Sequence, residues 1–164
     1  MKPELTTLAL VARPEWGNAA SLRAAVAAVV KAAVGDVEAA TNAGMVACEL
    51  SENAIKYGDW SRGGGFAFRL VLEGREVSVE VASPYDPSSG SFDRLEDILR
   101  AIRDRSAQQA YLQRLTEVSE KTGEIGQLGL RRIAHELSAR ITANVENDLL
   151  SVRAVWHLDI DRSH

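Results

Sequence analysis

One cysteine in 164 residues is the first scarcity that matters. Cys48 has no partner for an internal disulfide, so the fold must be held by its core alone. Its apolar surroundings mark it as a small buried residue, and the lack of disulfides suits a reducing cytoplasm. Histidine is also rare, at three residues. Neither His135-Glu136 nor His157 shows a metal spacing with the other or with Cys48. Ser51, Ser83 and Ser106 have no His/Asp constellation, which leaves hydrolytic triad chemistry without support. Aromatic residues amount to 5%, and Trp16 and Trp156 read as core or rim packing rather than ligand stacking. There is no excess of positive charge. The formal net charge is −4 and the pI is about 5.4, which argues against a general nucleic-acid or anionic-membrane binder. No basic-plus-apolar signal segment opens the chain, and no apolar run approaches membrane-spanning length, so no membrane partner is expected.

What is present is an ordinary soluble balance, 46% hydrophobic and 26% charged, in a chain long enough to bury a real core. With neither internal repeat nor long linker, residues 1–164 are expected to form a single domain. Leu5–Ala12 reads as a strand, ended by Pro14. Asn18 is the expected N-cap of an Ala-rich helix over Ser21–Val34 that Gly35 stops. Asp36 then caps a helix from Val37 to Tyr57. Gly58–Gly65 is a glycine loop in which Trp60 and Arg62 either cover a site or stand exposed. Phe66–Leu72 and Val77–Ala82 form a hairpin about Glu73-Gly74-Arg75. Ser83–Ser91 is a loop by composition, with Ser91 or Asp93 positioned to cap the next helix. That helix, Leu95–Leu115, is amphipathic and weaker near Ser106. A polar segment, Ser119–Gly126, leads to a helix over Leu128–Ile141. Strands Thr142–Val145 and Leu149–Ile160 close the chain through an Asn147-Asp148 turn. Helices and hairpins are segregated, which points to one sheet with helices on one face.

The stretch Val46–Gly58, VACELSENAIKYG, carries the chemistry. Val46, Ala47, Leu50, Ala54 and Tyr57 form an apolar stripe at helical spacing. Glu49 and Asn53 lie four apart and project from one face. The Asn53 amide oxygen is a neutral ligand suited to Mg²⁺. Glu49 is placed to accept a proton from a hydroxyl or water, and Lys56 to serve as a point charge for phosphate. On spacing alone, such residues usually mark a solvated helix face rather than a site. A second feature is Gly126-Gln-Leu-Gly129-Leu130, where glycines near a helix start let backbone N–H groups approach phosphate. Alone it is more commonly only a cap or a close-packing position.

Together, in this order, these motifs resemble the GHKL superfamily of ATPases and kinases, and within it the bacterial anti-sigma-factor serine kinases. Glu49-Leu-Ser-Glu-Asn53-Ala-Ile-Lys56-Tyr57-Gly58 looks like the N box, and Gly126–Leu130 like the G2 motif. The opening, a strand followed by Arg13-Pro14-Glu15-Trp16 and a helix, is similar as well. The resemblance covers nearly the whole chain. It implies a Bergerat fold, an α/β two-layer sandwich with a mixed, mainly antiparallel sheet. In the place of the family's ATP lid stands a lid or insertion at about 92–120 that is long and helical for one. Glu49 becomes the general base, and Asn53 the Mg²⁺ ligand. Lys56, Gly126, Gly129 and Leu130 form the phosphate side of an ATP site.

The adenine side departs from the pattern. Ser83 stands where the family has the G1 aspartate, and Tyr85 and Pro87 stand where it has glycines. A serine hydroxyl can accept a hydrogen bond, but a charge-assisted bond worth roughly 1.5–3 kcal/mol is lost. Asp86 is the substitute if the loop is re-routed. Two functions are compatible with this pattern. One is an ATP- and Mg²⁺-binding regulator, if active a serine/threonine kinase, in cytoplasmic partner switching. Its expected partners are a small anti-anti-sigma-like protein and a sigma factor or other response protein, with a homodimer as a further option. The other is a nucleotide-independent protein-binding module that has lost ATP recognition.

Overall fold

Residues 66–84 alternate apolar and polar side chains, and that period of two places one row of side chains on each face of a sheet. In the computed structural model, which describes residues 4–104 and 125–159, this stretch is a hairpin. β2 (Phe66–Glu73) and β3 (Glu76–Pro84) pair antiparallel. Phe66, Phe68, Leu70 and Leu72 are buried opposite Val77, Val79 and Val81, which are buried on the same face. β1 (Leu5–Ala12) adds to β2 with Leu8 opposite Leu70 and Leu10 opposite Phe68, so the apolar row continues to the sheet edge. At the far side β5 (Leu149–His157) pairs with β3, and β4 (Arg140–Glu146) with β5. The order is β1-β2-β3-β5-β4. Every pairing among the described residues is antiparallel, which corrects the expected mixed sheet. The closing turn is Asn147-Asp148 as expected. Both residues have φ above zero, 52° and 61°, as a two-residue hairpin turn requires.

The second layer is helical, and the molecule is a two-layer α/β sandwich. α1 (Trp16–Val34) and α2 (Val37–Tyr57) form an adjoining pair. α1 starts earlier than expected, because Asn18 is not its cap. The Asn18 side chain donates instead to the Arg13 carbonyl at 2.9 Å, bracing the Pro14 bend. Asp36 does cap α2, its carboxylate accepting the Ala39 N–H at 2.7 Å. Gly44 explains how closely the pair approaches. A Cβ there would stand 2.8 Å from the Arg23 carbonyl oxygen of α1. α1 also corrects the expectation about long apolar runs. Its 19 residues, at mean hydropathy 1.2, are long and apolar enough to cross a membrane by length and composition. Alanines produce that average. The helix packs by Ala19, Leu22, Val26 and Val30 and exposes much of the rest.

α2 lies over β2 and β3 and buries Val46, Ala47, Leu50, Ala54 and Ile55. Its end is pinned. The Trp60 indole N–H donates to the Ile55 carbonyl at 2.9 Å, so Trp60 packs on the helix terminus. The Asp59 N–H donates to the Pro84 carbonyl at 2.8 Å, tying the end of α2 to the end of β3. α3 (Ser91–Asp104) and α4 (Ile125–Leu137) complete the described helices. α4 therefore contains both glycines of the second motif and begins no later than Ile125, rather than near Leu128. The remainder of the expected helix to Leu115, and most of Ser119–Gly126, lie outside the described residues.

Candidate functional site

The helical register of α2 determines what meets the sheet and what meets α4. Leu50, Ala54 and Tyr57 line a cavity, and Asn53 joins them from the adjoining edge of the helix. From the sheet, Val81 and Ser83 of β3 and Leu150 and Val152 of β5 form the opposite wall. Ser83 pairs with Leu150 across the strands and is buried. Its hydroxyl thus belongs to the core face, where alternation along β3 puts it, and not to the loop beyond the strand. Leu130 of α4 closes one side. Asn53, Ser83 and Leu130 are thereby brought to one place from three separate elements.

α3 covers this space. It is strongly amphipathic, and Leu95 and Ile98 face the cavity while Leu99 is buried. Ser91 and Arg94 stand at the rim. The start of α3 is fixed by an edge-on contact between Tyr85 and Phe92, with ring centroids 6.2 Å apart. The enclosed space measures about 90 Å³, well below the ~300–1,000 Å³ of small-molecule pockets. With α3 in this position the polar groups converge on a space too small for a nucleotide.

Glu49 lies one turn before Asn53 on α2 and does not line the cavity. Its carboxylate packs between α2 and α4. Arg132 donates through Nη2 to Glu49 Oε1 at 3.2 Å. On the other side Glu49 Oε2 rests against Gly129, where any Cβ would collide with the carboxyl group. Burial raises the Glu49 pKa above the ordinary carboxylate range, Arg132 pulls it back down, Glu52 raises it, and Arg23 lowers it. The second glycine of the motif therefore has an occupant of its own, the side chain of the candidate base.

The other expected residues are placed differently. Lys56 is exposed, its ammonium 5.1 Å from the centroid of the Tyr57 ring, and it does not line the cavity. Asp86 is engaged locally, accepting from the Ser88 N–H at 2.9 Å and the Ser88 hydroxyl at 2.8 Å, and it too is outside the cavity. Gly126 falls in the first described turn of α4. Sequence reasoning missed Arg132. The available signal was its place three residues after Gly129, on the same side of α4, but nothing local names Glu49 as its partner.

No family model matches the sequence, and no curated protein matches it. Among solved structures, the chain is similar to one described as the crystal structure of the SiaB-SiaC complex from Pseudomonas aeruginosa. The TM-score is 0.65 at 18% identity, covering 90% of this chain and 88% of that one. At that identity the likeness shows the fold.

Proposed function

We propose that this chain is an ATP-binding regulatory protein of GHKL type that works by association with a small partner protein. The observation that carries the reading is the convergence of Asn53 and Ser83 on one cavity beside Leu130. Those are the positions at which the motif order would put the metal ligand, the base-reading group and the phosphate-side helix. The solved neighbour supports the second half of the reading, since it was crystallised as a complex of two proteins.

The chemistry of the residues suits Mg·ATP, while the space suits it only with α3 displaced. Asn53 would contribute one neutral oxygen, leaving most metal positions to phosphate and water, as Mg²⁺ prefers. Ser83 would accept from the base, and the first turns of α4 would face the phosphates with backbone N–H groups. Bound Mg·ATP would supply the transferable phosphoryl group and the charge that steadies it. If transfer occurs, Glu49 takes the proton of a serine or threonine hydroxyl presented by the partner. The test is the melting temperature of the chain in Mg·ATP against Mg²⁺ alone. A ligand at 100 Kd adds about 2.7 kcal/mol of stability, which for a domain of this size is a rise of several degrees. We expect that rise in the native chain and its loss in Asn53→Ala.

The second reading is the nucleotide-independent module. The specific observation favouring it is the small size of the cavity, about 90 Å³, with the apolar ridge of α3 as one of its walls. It expects no thermal response to Mg·ATP together with intact binding to a partner.

A further inference from the structure

A carboxylate on a helix face normally turns freely in water, but Glu49 is held on two sides. Its side chain is 19% exposed and that of Arg132 36%. One oxygen receives the Arg132 guanidinium at 3.2 Å, and the other is seated on Gly129. Both holds come from α4, so the position of Glu49 is set by how α4 meets α2. The charged groups acting on it are Arg132 from α4, Arg23 from α1 and Glu52 from α2 itself. Arg132 is the one that bonds it directly. Burial works against the ionised form, and a lone half-buried carboxylate takes up a proton more readily than a paired one.

We propose that Arg132 is the positioning residue for Glu49. It fixes the carboxylate against Gly129 and supplies the counter-charge that a proton acceptor in a half-buried cleft requires. This rests on the reading of Glu49 as the general base. The geometry separates two contributions. Gly129 provides the room, because a Cβ there would force the carboxyl group to swing away from this position. Arg132 provides the charge and one directed N–H. A lysine at position 132 would keep the charge while losing the planar fork, and a glutamine would keep a hydrogen-bond donor while losing the charge.

The experiment follows the Glu49 carboxyl carbon by NMR across a pH titration in the native chain, Arg132→Gln and Arg132→Lys, with the resonance assigned by Glu49→Gln. We expect the titration midpoint to move to higher pH in Arg132→Gln and to return toward the native value in Arg132→Lys. A midpoint that stays put in Arg132→Gln, or that moves equally in both variants, overturns the proposal and leaves Arg132 as a strut between α2 and α4. Thermal denaturation gives a second reading from the same proteins. Burial holds the folded-state pKa of Glu49 above its unfolded value, so the stability linked to its neutral form is present below the unfolded pKa and is lost as pH rises through the folded one. Removing Arg132 deepens that loss. The deficit of Arg132→Gln against native should therefore be larger at neutral pH than near about pH 4, where Glu49 is protonated. An equal deficit at both contradicts the proposal. Neither measurement uses ATP. If the native chain gives no thermal response to Mg·ATP, the nucleotide reading fails while the titration still decides the hold of Arg132 on Glu49. Where phosphoryl transfer to a partner is measurable, the acid limb of the rate profile should move up in pH in Arg132→Gln and recover in Arg132→Lys.

Discussion

Gly129 ties a residue type to a single neighbouring atom. In a helix interior, glycine to alanine is ordinarily stabilising by about 0.5–1 kcal/mol, because alanine has less backbone entropy to lose. Here the added methyl meets the carboxyl end of the flexible Glu49 side chain, which can swing aside only by giving up its Arg132 hydrogen bond, a loss of about 0.5–1.5 kcal/mol that offsets the gain. We expect Gly129→Ala to gain less stability in the native chain than in a Glu49→Ala background, a coupling of about 0.5–1.5 kcal/mol read from urea denaturation of the four proteins in the cycle. Equal effects in both backgrounds would mean that Glu49 does not occupy the space over Gly129. Cys48 gives a second residue-scale expectation. Its thiol is pushed up to about 11 by burial first and then by Glu52, whose carboxylate it faces at 3.6 Å. The thiolate is the reactive form, so alkylation near pH 8 should be about a hundredfold slower than for a free cysteine. It should quicken in Glu52→Gln, and a native rate equal to that of a free thiol would show Cys48 to be open. Helical spacing put Glu49 and Asn53 a turn apart, but it did not show that Asn53 lines the cavity while Glu49 packs against α4. Arg132 was not legible in the sequence, because its partner is 83 residues away and only the packing of α4 on α2 brings them together.

At the scale of elements, the hairpins and helices were legible wherever a period or a turn residue marked them. The Asp36 cap and the Asn147-Asp148 turn are local chemistry, and each is where the sequence puts it. The start of α1 was missed because no side chain caps it. Glu15 stands at the N-cap without a side-chain bond, and the residue with cap character, Asn18, is bonded back to Arg13. α3 was legible as an amphipathic helix, but its periodicity could not say what its apolar face covers. The structure puts that face on the cavity with Asn53 and Ser83. If α3 fills the space a nucleotide would take, trimming its cavity side should favour the open state. Ile98→Ala, partly buried and at the cavity wall, is expected to raise Mg·ATP affinity by up to about tenfold, since roughly 1.4 kcal/mol of packing no longer opposes opening. Leu99→Ala, whose side chain is 2% exposed, should cost about 2–4 kcal/mol of stability. A fall in affinity on Ile98→Ala, measured by calorimetry, would make α3 part of the bound site rather than an obstacle to it.

Over the whole molecule, one sheet face carries the described helices. The row Arg69, Glu80 and Arg153 crosses the opposite face from β2 through β3 to β5, with its charges alternating. The polar convergence is on the covered face, at Asn53 and Ser83. That placement required the register of α2, the alternation of β3 and the position of α4 together. The register of α2 could be read from the sequence, the strand was read only to Ala82 with Ser83 in the loop beyond it, and the order of motifs supplied the place of α4 by resemblance. The central claim is that these two residues belong to one nucleotide site with a weak base-reading side. Calorimetry of Mg·ATP binding to the native chain, Ser83→Asp, Asn53→Ala and the double variant tests it. A carboxylate at position 83 stands buried without a partner in the free protein, so Ser83→Asp should melt lower than native and recover with ligand. We expect weak native binding, a gain of about ten- to a hundredfold in Ser83→Asp from one charge-assisted hydrogen bond, and loss of binding in both variants that carry Asn53→Ala. Native binding already as tight as that of Ser83→Asp would contradict the assignment of position 83, and no binding in either would contradict the nucleotide site itself.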